Sequence, residues 1–476
     1  MKSNLTYRQI RAQISSAEAT CASLVSTYLS KIEQKSHLNA FREVYAEEAI
    51  SRAIEVDKRI AKKKAGRLAG MVLGLKDNIC YEGHKVSASS KILEGFESLY
   101  SATVVERLLK EDAIIIGRLN CDEFAMGSSN ENSAFGPVKN PLNESKVPGG
   151  SSGGSVAAVA AGLCTAALGS DTGGSIRQPS SFTGLVGFKA GYGRVSRHGL
   201  IAYASSFDQI GPITNDVYDA ALITEIISGP DEFDATATQT SVESFTEQIS
   251  NYDTHQPRRI AIIKECYEDS GLDPEIKAHL EKVIEKLKAD GHHLEFVSFP
   301  FLDLMVPAYY VLTTAEASSN LSRYGGVIYG YRSAQTTDID SAFRKSRSEG
   351  FGKEVKRRIM LGTFVLSAGF YDAYYNKAQK VRRVLKDRTD EIFKNFDFII
   401  SPSTPVTAFD LDAIKDPVTM YLQDIYTVQA NLTGIPAISI PTGRHSNELP
   451  FGIQLMSPRF KESDLLAFSS TIEKYK

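Results

Sequence analysis

Two short glycine-rich segments of this sequence carry serines that could act as nucleophiles. They are Gly149–Ser155 and Asp171–Ser175, and they belong to a stretch, 149–193, in which 12 of 45 residues are glycine. So many glycines need a local cause, such as unusual backbone angles or close approach of the backbone to a ligand. Because a serine hydroxyl is a weak nucleophile until a base activates it, this chemistry also requires a basic side chain nearby.

Lys76 is the best candidate for that base. It directly follows the apolar run Met71–Leu75, and burial of a lysine disfavours its charged form. Lowering the pKa of a lysine from about 10.4 to about 7.5 takes roughly 4 kcal/mol of desolvation. Two alternatives stay open at this point: Lys76 could reach solvent from the end of a strand, or His198, one of eight histidines, could serve as the base.

The same region contains patterns that are typical of other enzymes. Gly149–Gly153 matches a Gly-x-Ser-x-Gly nucleophile elbow, but that turn must follow a buried strand, and the polar loop 143–148 precedes it here. Asp171–Gly173 and Asp269–Gly271 imitate the two aspartates of an aspartic protease, which would need two matching β lobes. Neither glycine cluster ends in the Gly-Lys-Ser or Gly-Lys-Thr of a phosphate-binding loop.

An Ala-rich run, 155–168, joins the two serine loops. Its first part, Val156–Ala161, carries no charge, which predicts a helix buried in the core. A buried helix with one flexible loop at each end would hold both sets of serines in one rigid site.

The elements that must position this site follow from patterns along the rest of the chain. Residues 8–65 are predicted to be helical, and strands and helices then alternate. The expected strands are 71–75, 113–116, 259–263, 293–299 and 396–400, and the expected helices include 104–110 and 274–288. Such alternation predicts an α/β fold in which helices cover both faces of a central sheet.

Composition and charge exclude several classes of protein. The 476 residues carry a formal net charge of −3, so there is no bulk positive field to hold a nucleic acid without a partner. No apolar run reaches the roughly 18 residues of a membrane helix, and the first residues do not resemble a signal peptide. Five scattered cysteines without a paired pattern fit a reducing compartment. We therefore expect a cytoplasmic protein without a metal site or a membrane segment.

The domain organisation is less clearly marked. The polar segment 231–256 is predicted to be an exposed connection, which could separate two domains or link two parts of one sheet. We favour a single domain over residues 1–476, with the part that carries the site at about 70–215.

Taken together, these residues resemble the amidase signature family. Members use a serine–cis-serine–lysine triad within Gly-Gly-Ser-Ser-Gly-Gly-Ser and a following Asp-Thr-Gly-Gly-Ser, and both motifs occur here word for word. The resemblance implies that Ser175 is the acyl-enzyme nucleophile, that Ser151 is the bridging serine on a cis peptide, and that Lys76 is the base. It also implies a single domain built on a large mixed sheet wrapped by helices.

The same resemblance implies further roles for the second serine loop. The backbone N–H groups of Thr172, Gly173 and Gly174 precede the nucleophile and can point at the developing oxyanion. Residues without bulky side chains suit this position because the substrate carbonyl must approach the backbone closely.

Three later segments, 316–323, 348–358 and 371–375, resemble one subfamily, the glutaminase subunits of tRNA-dependent amidotransferases. The glutamine-binding tyrosine, arginine and aspartate of that subfamily map onto Tyr309, Arg358 and Asp424, although Tyr310 is an equally placed alternative to Tyr309. Free glutamine is a zwitterion, so a cation for its carboxylate and an anion for its ammonium group are the expected partners.

The resemblance also implies what this chain does and with which partners. It would hydrolyse glutamine and pass ammonia to a B subunit, within a heterotrimer that a small C subunit completes. The B subunit would bind Glu-tRNA(Gln) and convert it, with ATP and Mg²⁺, to Gln-tRNA(Gln), so the complex would be a carbon–nitrogen ligase. This chain itself would bind no cofactor. The alternatives are a stand-alone amidase for small amides and a non-catalytic tRNA-binding scaffold.

Overall fold

The computed structural model describes residues 5–475. Its strands are β1 (Phe41–Val44), β2 (Val72–Lys76), β3 (Ile114–Leu119), β4 (Ala166–Asp171), β5 (Val186–Lys189), β6 (Gln209–Thr214), β7 (Arg259–Ile263), β8 (His293–Val297), β9 (Phe398–Pro402), β10 (Ala437–Arg444) and β11 (Pro450–Met456). Its α-helices are α1 (Tyr7–Ser15), α2 (Cys21–Gln34), α3 (Ala46–Ala61), α4 (Thr103–Lys110), α5 (Gly153–Ala160), α6 (Arg177–Thr183), α7 (Val217–Ile227), α8 (Phe245–Ser250), α9 (Lys264–Tyr267), α10 (Pro274–Ala289), α11 (Leu302–Asn320), α12 (Ile339–Gly350), α13 (Lys353–Leu366), α14 (Lys377–Ile392), α15 (Pro417–Tyr421), α16 (Val428–Thr433) and α17 (Glu462–Ile472).

All these strands form one mixed sheet in the order β1-β3-β2-β4-β6-β5-β10-β11-β9-β7-β8. The neighbours β3, β2 and β4 run parallel, as do β9, β7 and β8. Between these two parallel groups the pairing from β4 to β9 is antiparallel. The predicted fold class, α/β with a large mixed sheet, is therefore confirmed.

Side chains of successive strand residues point to opposite sides of a sheet. Both faces of this sheet carry buried apolar side chains, and helices cover both faces. Leu73 and Leu75 of β2 contribute to one extensive core together with Ile260 and Ile262 of β7, which lies far along the sheet. The opposite face carries two cores, one beneath β1–β4 and one beneath β7–β11. Helix α5 belongs to the first of these two, and helix α11 to the second.

Two expectations about local structure were incomplete. The stretch 8–65 contains three helices but also the strand β1, which pairs antiparallel with β3 at the edge of the sheet. Only four residues form this strand, so the sequence pattern around it is too short to reveal its period. The Ala-rich run is also split: α5 ends at Ala160, and the chain returns to the second serine loop as the buried strand β4. A short apolar run without charges fits a buried helix and a buried strand equally well.

The polar segment 231–256 is not a wholly exposed connection. It contains helix α8, which packs against α7 and α17, and Phe245 at the start of α8 is fully buried. Aromatic burial of this kind anchors the segment to the core. The boundaries of a single domain over residues 1–476 stay a prediction.

Within residues 5–475, no helix combines the length and the apolar character that a membrane crossing needs.

Candidate active site

The sheet brings the two serine loops and the lysine together at the carboxyl ends of two neighbouring strands. Strands β2 and β4 are parallel neighbours with Leu75 opposite Leu168, so their carboxyl ends lie side by side. Lys76 ends β2, and the second serine loop begins where β4 ends at Asp171. Helix α5 starts inside the first loop at Gly153 and leads the chain back to β4.

The Lys76 ammonium group lies in a fully buried cluster of hydroxyl groups. Its Nζ donates to Ser151 Oγ at 2.7 Å and to Ser152 Oγ at 3.0 Å, with the Ser170 carbonyl at 3.4 Å. Burial lowers the pKa of Lys76 to about 8, and the charges of nearby acidic groups oppose this shift only in part. A lysine in this state can exchange protons with a serine near neutral pH, and the alternative of a solvent-exposed Lys76 is wrong.

The loop that carries Ser151 is fixed by close contacts. The peptide bond between Gly150 and Ser151 is cis, as the resemblance implied, and the Ser151 carbonyl accepts a hydrogen bond from the Asp122 N–H group at 3.1 Å. The Asp122 carboxylate lies directly against Gly150, where a Cβ atom would be only 2.2 Å from its Oδ2. Glycine is required at this position because no side chain fits between the loop and Asp122.

Ser175 is the last residue of the second loop and is held next to the first loop. The backbone N–H of Ser152 donates to the Ser175 carbonyl at 3.2 Å, which joins the two serine segments. Ser175 retains 8% of its surface exposed, whereas Lys76 and Ser151 have none. Of the three side chains, the proposed nucleophile is thus the one that a substrate can reach.

The predicted oxyanion donors lie in the same loop. The backbone N–H groups of Thr172, Gly173 and Gly174 donate no hydrogen bond to any other residue of the described range 5–475, so they can bind a substrate oxygen. The Thr172 hydroxyl donates to the buried carboxylate of Asp208 at 2.6 Å. Thr427 donates its hydroxyl to the Gly173 carbonyl at 2.6 Å, which fixes the carbonyl side of the loop and leaves the N–H side free.

A buried ion pair closes the base of this loop. The Arg177 guanidinium binds both carboxylate oxygens of Asp171, at 3.0 and 2.9 Å, and it donates further to Gln454, Asn431 and the Thr427 carbonyl. Although burial alone would raise it, the pKa of Asp171 is lowered to about 2 by this guanidinium. The charge pair therefore joins Asp171, where the loop begins, to Arg177, which starts α6 directly after the loop.

Arg358 lies in an aromatic cage and is 3% exposed. Its Nε donates to Glu354 at 2.8 Å and one Nη to the Tyr203 hydroxyl at 2.9 Å. The guanidinium also lies between 5.1 and 5.6 Å from the ring centres of Tyr203, Tyr310 and Tyr421, a range that favours cation–π attraction. A cavity of about 310 Å³ borders Arg358 and Glu354.

Asp424 and Tyr309 lie against the second serine loop, Asp171–Ser175, which carries the proposed nucleophile and is called the nucleophile loop from here on. A Cβ atom on Gly173 would be 2.5 Å from the Tyr309 hydroxyl, and one on Gly174 would be 3.3 Å from Asp424 Oδ1. Burial raises the pKa of Asp424 to about 7, although the Ser128 hydroxyl, which donates to Oδ2 at 2.7 Å, acts in the opposite direction. The ring of Tyr310 stacks instead on Tyr421 at 3.9 Å, so Tyr309 is the tyrosine next to the loop.

Several residues that contact this site were not expected from the sequence, and Ser128, Tyr203 and Glu354 are examples. Glu354 precedes Arg358 by four residues on α13, a helical spacing that places opposite charges together and could have indicated the pair. Ser128 is 296 residues away from its partner Asp424, and no local pattern connects them. The alternative base His198 is not part of the site, because its ring stacks between Tyr100 and Phe233.

The chain is similar to known proteins over nearly its whole length. The model of the amidase family matches residues 23–466. The A subunit of the glutamyl-tRNA(Gln) amidotransferase of Chlorobium phaeobacteroides is 47% identical over 470 residues, and that of Koribacter versatilis is 48% identical over 473 residues; in both cases 98% of each chain is covered.

Solved structures similar to this chain include an A subunit of the same enzyme and a peptide amidase. The crystal structure of the A subunit of the glutamyl-tRNA(Gln) amidotransferase from Thermotoga maritima is 41% identical, with a TM-score of 0.77 over 95% of this chain and 91% of that chain. The peptide amidase from Stenotrophomonas maltophilia is 27% identical, with a TM-score of 0.80 over 98% of this chain and 95% of that one.

Proposed function

The chain belongs to the amidase family, and we propose that within it this protein is the glutamine-hydrolysing A subunit of a glutamyl-tRNA(Gln) amidotransferase. The observation that carries the proposal is a pair of opposite charges: Asp424 lies against Gly174 of the nucleophile loop, and Arg358 lies beside the Tyr310 ring, near enough to Asp424 for its charge to oppose the rise in the pKa of Asp424. A neutral amide would need neither of them, whereas the carboxylate and ammonium groups of free glutamine need one each.

Acyl transfer would begin at Ser175. Neutral Lys76 takes a proton from Ser151 while Ser151 takes one from Ser175, and the Ser175 oxygen attacks the side-chain amide carbon of glutamine. The N–H groups of Thr172, Gly173 and Gly174 stabilise the resulting oxyanion. The proton then returns through Ser151 to the amide nitrogen, the carbon–nitrogen bond breaks, and ammonia leaves. A water molecule attacks the acyl-enzyme by the same proton path and releases glutamate.

Arg358 and Asp424 would orient the substrate for this attack. Arg358 attracts the α-carboxylate, and Asp424, beside Gly174, accepts from the α-ammonium group. Glu354 and Tyr203 hold the guanidinium in place, and the pairing with Arg358 lowers the pKa of the Glu354 carboxyl despite the opposing effect of burial. Tyr309, which touches Gly173, closes the pocket over the reacting loop.

The relatives are named as one component of a larger enzyme, and we propose that this chain works in a heterotrimer with B and C subunits. Ammonia would pass to the B subunit, which would bind Glu-tRNA(Gln) and use ATP and Mg²⁺. We expect this chain to bind no cofactor and no metal ion and to work in the cytoplasm.

Co-purification followed by a glutaminase assay tests the proposal. The chain is expressed with its two proposed partner subunits, and glutamine hydrolysis is measured with and without Glu-tRNA(Gln) and ATP. We expect a stable complex that forms Gln-tRNA(Gln) from glutamine. A chain that purifies alone and prefers neutral primary amides to glutamine would instead be a stand-alone amidase.

A further inference from the structure

We propose that Gln178 is a positioning residue that connects the pocket for the substrate ammonium group to the bridging serine. This inference rests on the proposed function for the identity of the substrate. Gln178 is fully buried in α6. Its Oε1 accepts from the N–H of Gly150 at 3.1 Å, and its Nε2 donates to the carbonyl of Ser128 at 2.9 Å.

These two bonds are the middle of a series in which hydrogen bonds alternate with short covalent segments. At one end, the Ser128 hydroxyl donates to Asp424 at 2.7 Å. At the other end, Gly150 is joined by the cis peptide to Ser151, whose hydroxyl accepts from Lys76 at 2.7 Å. The proposed ammonium-binding carboxylate is thereby linked to the serine that carries the proton.

Burial keeps this series of contacts rigid. Ser128, Gln178 and Ser151 are at most 2% exposed and Asp424 is 6% exposed, so water does not compete for their hydrogen bonds. The backbone N–H of Gln178 also donates to the carbonyl of Gly174 at 2.8 Å. One residue thus contacts Gly150 of the first serine loop, Ser128, and Gly174 of the nucleophile loop.

The chemistry of the amide group explains why glutamine suits this position. The link needs one acceptor for an N–H and one donor for a carbonyl, and a primary amide offers both from adjacent atoms. An ionised carboxylate could accept from Gly150 but would face the Ser128 carbonyl without a proton to donate. Methionine has a similar length but has no donor and only a weak acceptor.

Gln178→Met tests the link. We expect kcat to fall by about 100-fold on glutamine and on a neutral primary amide alike, because small displacements of a reacting group cost this much. KM for glutamine should rise while KM for the neutral amide changes little, because Ser128, which donates to Asp424, loses the hydrogen bond from Gln178. The acid limb of kcat/KM should move to lower pH, because a displaced Ser151 no longer accepts the charge-assisted bond that stabilises the Lys76 ammonium. A merely structural loss would lower the active fraction and leave the pH profile in place.

Gln429→Met is the matched control. Gln429 is also buried, lies on α16 and donates to Thr389, so its loss removes an amide hydrogen bond outside the linked residues. We expect its kcat to stay within about twofold of the wild-type value. The acid limb of its pH profile should stay at the pH of the wild type, because the lost hydrogen bond lies outside the linked residues.

Gln178→Glu provides a second measurement if the methionine variant does not fold. Burial raises the pKa of the introduced carboxyl group, and its protonated form can donate to the Ser128 carbonyl while accepting from Gly150. The ratio of its kcat to that of the wild type should therefore fall as pH rises. A constant ratio, or Gln178→Met with wild-type kcat and pH profile, would overturn the proposal. If the wild-type protein hydrolyses neutral amides but not glutamine, the proposed function is contradicted instead. The role of Gln178 would then be measured on the neutral amide.

Discussion

The two serine loops of the serine–lysine centre lie close together in the sequence and are joined by a backbone hydrogen bond, whereas the residues proposed to bind glutamine come from distant segments. Ser151 and Ser175 lie 24 residues apart on loops whose backbones bond to each other. Arg358 and Asp424 lie on separate elements and are fixed by the side chains of Glu354, Tyr203 and Ser128.

This difference teaches what each region determines. The serine–lysine centre presents the same hydroxyl groups and N–H donors to any amide, so it determines the reaction. Charged side chains in a cage select which amide is held there, so they determine the substrate. Damage to the first region should therefore affect all substrates, and damage to the second should affect glutamine above others.

The largest effect is expected from Ser175→Ala. Removing the hydroxyl should reduce hydrolysis of glutamine and of a neutral amide equally, on the order of 10⁴- to 10⁶-fold, as loss of a serine nucleophile does elsewhere. Folding and assembly should be intact, because only one oxygen is removed. The assembled complex should still form Gln-tRNA(Gln) from added ammonium. Near-normal glutaminase activity in this variant would show that the nucleophile is another residue.

Lys76 offers the second test of the first region. Lys76→Ala should lower kcat on both substrates by about 10³-fold or more, and Lys76→Arg should be nearly as inactive because a guanidinium does not deprotonate. In the wild type, kcat/KM on a neutral amide should fall as pH falls through about 8, where the Lys76 ammonium forms. An acid limb near the usual histidine pKa that disappears on substitution of His198 would contradict this assignment.

Substitutions in the second region should separate the substrates. Arg358→Ala or Asp424→Ala leaves one charge of bound glutamine without a partner in a partly desolvated pocket, which costs about 2–5 kcal/mol. We expect kcat/KM for glutamine to fall by roughly 30-fold or more. Hydrolysis of a neutral primary amide is the control and should fall much less. Equal losses on both substrates would show that these residues support the serine–lysine centre instead.

The contrast between the two regions also explains what could be predicted from the sequence. Lys76 and both serine loops are contiguous motifs, so their residue types and spacing could be predicted, whereas the sequence left the burial of Lys76 open. The division of the Ala-rich run into α5 and β4 could not, because a buried helix and a buried strand share one composition. It is the parallel pairing of β4 with β2 that brings the motifs to one edge.

The second region could be predicted only through the resemblance. Without it, Arg358 is one of several basic residues on a helix, and nothing local separates Tyr309 from Tyr310. Their roles depend on contacts with residues far away in the sequence, such as Tyr203, which is 155 residues from Arg358. Side-chain cages of this kind are a product of tertiary packing and leave no periodic signal.

The smallest expected effect is a pH dependence that belongs to the second region alone. Burial raises the pKa of Asp424 to about 7 and that of the Lys76 ammonium is lowered to about 8. Lys76 acts on every amide, so the ratio of kcat/KM for glutamine to that for a neutral amide cancels its titration. Asp424 loses its charge as pH falls through about 7, and only a substrate with an ammonium group depends on that charge. The ratio should therefore fall by about tenfold between pH 8 and pH 6, as a single titration at pH 7 requires.

Asp424→Asn, which stays neutral at every pH, is the matched control and should give a low ratio that does not change over this range. If the ratio of the wild type is also constant, Asp424 does not bind the ammonium group, and selection of glutamine rests on Arg358 alone.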